Sequence, residues 1–91
     1  MSGETLEIGS IQIEKVYKHG ELVYLEFKDL EDPEYSWREF ADGDKTWHLD
    51  GHLHRESGPA FEWADGTKWW FLKGEHITEE EHRILMTKEV I

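Results

Sequence analysis

The segment between Asp42 and Glu75 is written twice. Asp42-Gly43-Asp44-Lys45-Thr46-Trp47-His48-Leu49-Asp50-Gly51-His52 aligns with Asp65-Gly66-Thr67-Lys68-Trp69-Trp70-Phe71-Leu72-Lys73-Gly74-Glu75 at an offset of 23 residues, identical at six of eleven positions, with Phe40 over Trp63 just before. The shared pattern is DG-x-K-x-W-x-L-x-G. Asp-Gly between alternating segments is the strongest short-range signal for a two-residue hairpin turn, because both central positions want φ > 0. The spacing therefore predicts two copies of one hairpin unit. Between them, Asp50 to Gly66 reads as turn, strand, bend, strand, turn. Ser57-Gly58-Pro59 supplies the bend, since proline extends the residue before it and offers no N–H to a ladder.

GHLHRESGPA, then WADGTKWWFLKGE, then ITEEE resembles the short tandem repeat of tailed-phage and related bacterial proteins, which reads roughly NG-x-LHREDGPA followed by DG-x-x-x-WY-x-NG. The match runs from about Trp47 to Glu81 and degenerates before Phe40. The resemblance implies an antiparallel meander of hairpins and a phage or bacterial setting, and it brings no catalytic residues. Two departures stand out. Lys73-Gly74 replaces Asn-Gly, and after Glu75-His76 the chain leaves the repeat.

The remaining segments are read from patterning. The apolar positions Leu6, Ile8, Ile11, Ile13 and Val16 switch from even to odd across Gly9-Ser10, which predicts one strand bent at a glycine bulge, or two short ones. A turn at Lys18 to Glu21 and a strand from Leu22 to Phe27 complete an N-terminal bent hairpin over 6–28. An acidic, solvated loop occupies 29–34 and hairpin repeats 35–77, with strands near 45–49, 52–55, 60–64, 68–72 and 75–77. Trp69 and Phe71 alternate with Trp70 and Leu72, so both faces of that strand are covered or one is a contact surface. Thr78-Glu79-Glu80-Glu81 is a capping box. It opens a C-terminal segment, 78–89, with a helix of about 79–88 laying Ile84 and Leu85 on the sheet. The expectation is one domain over 1–91, mainly β with one C-terminal helix, an antiparallel meander of about seven or eight short strands.

Ten Lys and Arg stand against 21 Asp and Glu, a net charge of −11, and residues 26–44 alone carry −6. Direct nucleic-acid binding is disfavoured by such a field, and a basic protein surface is the natural partner. No apolar run reaches the ~20 residues of a membrane span. The absence of cysteine excludes disulfides and thiolate metal sites, and with no basic signal-peptide start the chain reads as cytoplasmic, in a host cytoplasm if phage-encoded.

His52 and His54 are two apart on a predicted strand, with Asp50 or His48 as a third metal ligand, but the spacing matches no metal motif. The resemblance to the phage repeat implies that Arg55 belongs to the turn framework, pairing with Glu56 or a strand neighbour. The acids form no desolvated pair of the kind acid–base catalysis needs, and no nucleophile motif occurs. No catalytic residue, metal site or cofactor is expected, and a metal-dependent hydrolase ranks third among functions. The first expectation is a non-enzymatic binding protein. Its contact surface is Asp29, Glu31, Asp32, Glu34, Asp42 and Asp44 with Tyr35 and Trp37 as aromatic anchors, and it imitates phosphates to occupy the nucleic-acid-binding surface of a host complex. Small acidic phage inhibitors of the anti-CRISPR and anti-restriction type act in this way. The second is a structural repeat module that self-associates through exposed aromatics, for which a homodimer is the simplest assembly.

Overall fold

A computed structural model describes residues 5–87. Nine antiparallel strands follow in chain order: β1 Thr5–Ile8, β2 Ile11–Lys18, β3 Glu21–Asp29, β4 Tyr35–Phe40, β5 Lys45–Leu49, β6 His52–Leu53, β7 Phe61–Glu62, β8 Lys68–Leu72 and β9 Glu75–Ile77. One helix, α1 Glu79–Thr87, closes the described chain. The sheet order is β1-β2-β3-β4-β5-β7-β8-β9, with β6 paired to β5 beside that path. This is the meander with a C-terminal helix that the patterning predicts. The strand number is nine rather than seven or eight, and helix residues 88 and 89 of the predicted segment lie outside the described residues.

The two repeat copies adopt one backbone. β5 and β8 occupy equivalent positions, and each copy opens on the same pair of hydrogen bonds: Phe40 N–H to Asp44 O and Gly43 N–H to Phe40 O, then Trp63 N–H to Thr67 O and Gly66 N–H to Trp63 O. The opening turns differ from the two-residue form expected of Asp65-Gly66. Only the glycines have positive φ, 103° at Gly43 and 97° at Gly66. The aspartates instead accept from the backbone two residues on, Asp42 Oδ1 from Asp44 N–H at 3.0 Å and Asp65 Oδ1 from Thr67 N–H at 2.9 Å. An aspartate doing this favours a longer turn with one left-handed residue. The Thr67 backbone N–H first, and its side chain second, hold the Asp65 carboxyl below its ordinary range.

At the closing turns, both central residues are left-handed: Asp50 and Gly51 at 52° and 81°, Lys73 and Gly74 at 51° and 83°. His19-Gly20, at 55° and 81°, makes a third such turn between β2 and β3. Lysine tolerates this region less well than asparagine, which bonds locally there. Lys73→Asn is expected to stabilise the chain by about 0.5–1 kcal/mol, read as a raised denaturant midpoint with an unchanged slope.

The face switch at Gly9-Ser10 is a turn, not a bulge. Ile8 pairs with Ile11 and Leu6 with Ile13, so even and odd positions share a face because two residues intervene between antiparallel partners. Gly9 alone has positive φ, the pattern of a II′ turn. The bulge falls later, between Val16 and Tyr17.

Direct cross-strand pairing carries one apolar row over five strands: Leu6, Ile13, Phe27, Trp37 and Trp47. A parallel row of alternating charge, Glu39, Lys45, Glu62 and Lys68, runs along the same face over four strands. The molecule measures 49 × 31 × 18 Å, so one layer of sheet makes most of it. Among the described residues the only buried apolar side chain is Ala60, at 0 % exposure. Aromatic stacking takes the place of a deep core, with Phe27 on Trp37 at 5.2 Å and Phe61 on Trp63 at 3.9 Å.

The capping box forms as expected: Glu81 N–H donates to Thr78 Oγ1 at 3.0 Å and Thr78 N–H to Glu81 Oε1 at 2.8 Å. The helix docks differently from the expectation. Ile84 is 56 % exposed and Leu85 is also exposed, while His82 is buried and its Nε2 donates to Arg55 O at 2.8 Å. A backbone carbonyl left open by the bend determines the docked face. Trp70, His82, Arg83 and Met86 line one groove there, whereas Trp69, on the opposite face of β8, stays 42 % exposed beside Trp63 and His76.

Candidate binding groove

The segment His54 to Ala60 ends β6 two residues earlier than expected and delays β7, because its polar groups bond to neighbours other than a ladder. His54 Nδ1 accepts from Lys73 N–H at 2.8 Å, which places its proton on Nε2, facing Glu56 Oε2 at 3.3 Å. Arg55 turns back on the bend. Its guanidinium lies 3.8 Å over the Trp47 ring centroid, donates to Pro59 O at 3.1 Å and meets Glu62 Oε2 at 3.4 Å. The partner of Arg55 is therefore Glu62 on the neighbouring strand, and Glu56 pairs with His54. A Cβ at Gly58 would stand 3.2 Å from Arg55 Nη1, so glycine there lets the arginine close the bend. Ala60 then joins both copies, giving its N–H to Trp69 O and taking Trp47 N–H on its carbonyl, each at 2.9 Å.

This knot forms one wall of a groove of about 420 Å³ whose floor is Tyr35, Trp37 and Trp47. Tyr35 and Trp37 lie two apart on β4 and so share a face, and Trp37 pairs directly with Trp47. The loop before β4 folds against the mouth. Tyr35 N–H donates to Asp32 O at 2.9 Å and Asp50 N–H to Glu34 O at 2.8 Å, bringing three carboxylates close to the ring. Glu56 arrives from the other side. Together these charges hold the Tyr35 phenol above its ordinary range, Glu56 contributing most, followed by burial, Glu34, Asp32 and Asp50. On the opposite face of β5, His48 Nε2 meets Thr46 Oγ1 at 2.8 Å. Burial, then the Arg38 charge, holds its imidazole below the ordinary range.

The acids named from the sequence fall into two groups. Asp29 ends β3 and Glu31, Asp32 and Glu34 follow in the β3–β4 loop, whereas Asp42 and Asp44 are in the β4–β5 turn, about 20 Å away at the other end of β4 at ~3.3 Å per residue. Of the first group Asp32 and Glu34 act on Tyr35 at the mouth of the groove, while Tyr35 and Trp37 line it. Asp29 Oδ1 caps Glu31 N–H at 3.0 Å, and Asp44 Oδ1 accepts Ala64 N–H at 2.7 Å, tying one repeat turn to the other. Those two carboxylates have structural partners. Asp50, Glu56, Trp47 and Arg55 were not among the sequence-derived contact residues. Glu56 and Arg55 were visible as the LHRE framework, but no spacing shows that the bend carries them back to β4.

His52 is exposed on β6 and His54 is buried beyond its end, with both ring nitrogens engaged, so the two do not form the side-by-side pair of a regular strand. Among the described residues no group of three His, Cys, Asp or Glu side chains could hold a metal ion. No described helix is long and apolar enough to cross a membrane. Comparison of the chain with protein-family models finds no match, and comparisons with curated proteins and with solved structures find none.

Proposed function

We propose that the chain is a non-enzymatic acidic binding protein that occupies a basic, nucleic-acid-binding surface of a host defence complex, in the manner of a phosphate mimic. The observation that carries this reading is the ring of Asp32, Glu34, Asp50 and Glu56 about Tyr35, at the mouth of an aromatic groove, in a chain of net charge −11. Surfaces that bind phosphates concentrate Lys and Arg on one face, and a rigid array of carboxylates meets them with little ordering cost. The phage-like character of the repeat supports the host setting. Capture from a bacterial lysate, followed by identification of the bound protein, tests the reading. Asp32→Asn, Glu34→Gln and Glu56→Gln together are expected to leave the fold intact and to slow association about tenfold or more at low salt, with a steep loss of wild-type binding as salt rises. A folded triple variant with unchanged association would refute it.

A second reading is a repeat module that assembles with copies of itself. The apolar row from Leu6 to Trp47 and the exposed Trp69 favour it. The charge of −11 on every copy opposes it. Sedimentation at rising concentration separates the two, since self-association without capture of a basic partner supports the module.

A further inference from the structure

Arg55 shows what the groove does with a cation. At the Trp47 end, a planar guanidinium lies on an indole face and pairs with the Glu62 carboxylate. At the Tyr35 end an aromatic floor and carboxylates recur, and the basic side chain beside them is the His54 imidazole rather than a guanidinium. Among the described residues Asp32, Glu34 and Asp50 form no ion pair, and Glu56 meets only His54. We propose that this end of the groove accepts an arginine side chain of the basic partner, stacked on the Tyr35–Trp37 floor and paired with the rim carboxylates. The proposal rests on the binding reading above and deepens it.

Arginine suits the site better than lysine. Its guanidinium is planar and weakly hydrated, stacks on aromatic rings and bonds a carboxylate through two N–H groups at once, whereas an ammonium keeps its water and offers no flat face. Cation–π attraction also grows as the cation is desolvated, which a groove achieves and an open surface does not. The raised phenol of Tyr35 is a separate sign that the local field favours a positive charge.

The test is a titration of the whole ¹⁵N-labelled chain with N-acetylarginine amide, using N-acetyllysine amide as the control. The expected result is a saturable shift of the Trp37 and Trp47 indole N–H signals with a Kd on the order of 1–10 mM for arginine. The lysine probe should bind at least ~3-fold more weakly. Glu56→Gln should weaken the arginine probe about 3- to 10-fold and Tyr35→Leu about 10-fold, while Asp42→Asn, at the far turn, should change nothing. Tyr35 is already 36 % exposed, so its replacement keeps the test available if a Trp37 variant fails to fold. Equal affinity for the two probes, shifts that never saturate, or indifference to Glu56→Gln would overturn the proposal. If arginine binds as expected but the chain captures no basic nucleic-acid-binding protein, the broader reading fails and the groove stands. If it captures one and Tyr35→Leu binds it unchanged, the groove assignment alone fails.

Discussion

Arg55→Ala is expected to destabilise the chain by about 2–3 kcal/mol, a loss of roughly 10–20 °C in Tm for a domain of this size. Two kinds of interaction go together. The charge-assisted bonds to Pro59 O and Glu62 contribute on the order of 1.5–3 kcal/mol when partly buried, and the stack on Trp47 about 0.5–2 kcal/mol more, before relaxation returns some of it. Beyond the energy, the bend loses what closes it, and Arg55 O holds the docking bond from His82. Loss of helical signal before loss of β signal on heating would be the structural signature. Arg55→Lys should recover less than half of the stability, because an ammonium cannot both stack and fork. A thermal melt of the three proteins decides the point, and an alanine variant within about 0.5 kcal/mol of wild type would mean that the bend is held by Pro59 and the backbone alone.

Trp47→Ala should cost more, about 3–5 kcal/mol, because it removes the end of the five-strand apolar row, the platform under Arg55 and part of the groove floor at once. Since Arg55 and Trp47 touch, their losses should not add. The double variant should be less destabilised than the sum of the singles by about 1 kcal/mol or more. Additive losses in urea titrations would show that the stack seen in the structure contributes little.

The limits of the sequence reading have local causes. The meander was legible because parity of apolar positions and turn dipeptides are local signals, and the duplicated unit set β5 and β8 at matching places. At Gly9-Ser10 the sequence leaves one bent strand and two short ones both open, because a bulge and a two-residue turn both switch parity; the pairing of β1 with β2 selects the two strands. Asp50-Gly51 forms the expected two-residue turn, whereas at Asp65-Gly66 the aspartate side chain, by accepting the N–H two residues on, selects a longer turn. The helix face was misassigned because hydrophobicity pointed to Ile84 and Leu85, whereas the deciding contact is a polar bond from His82 to a carbonyl 27 residues earlier. For the groove, Tyr35, Trp37 and the loop acids were visible as a dense acidic stretch with aromatics. Asp50 and Glu56 were not, since both reach Tyr35 only through turns whose direction no linear pattern records. Asp42 and Asp44 sit at the other end of β4, a separation that charge density along the chain does not record.

The central claim is that the acidic rim competes with phosphates for a basic surface. It is tested most directly by measuring nucleic-acid binding of the captured partner while the chain is titrated in, at low salt. The account expects stoichiometric displacement of the nucleic acid, weakened about tenfold or more by the Asp32→Asn, Glu34→Gln, Glu56→Gln variant and suppressed as salt is raised. A ternary complex, in which chain and nucleic acid bind the partner together with unchanged affinities, would contradict it.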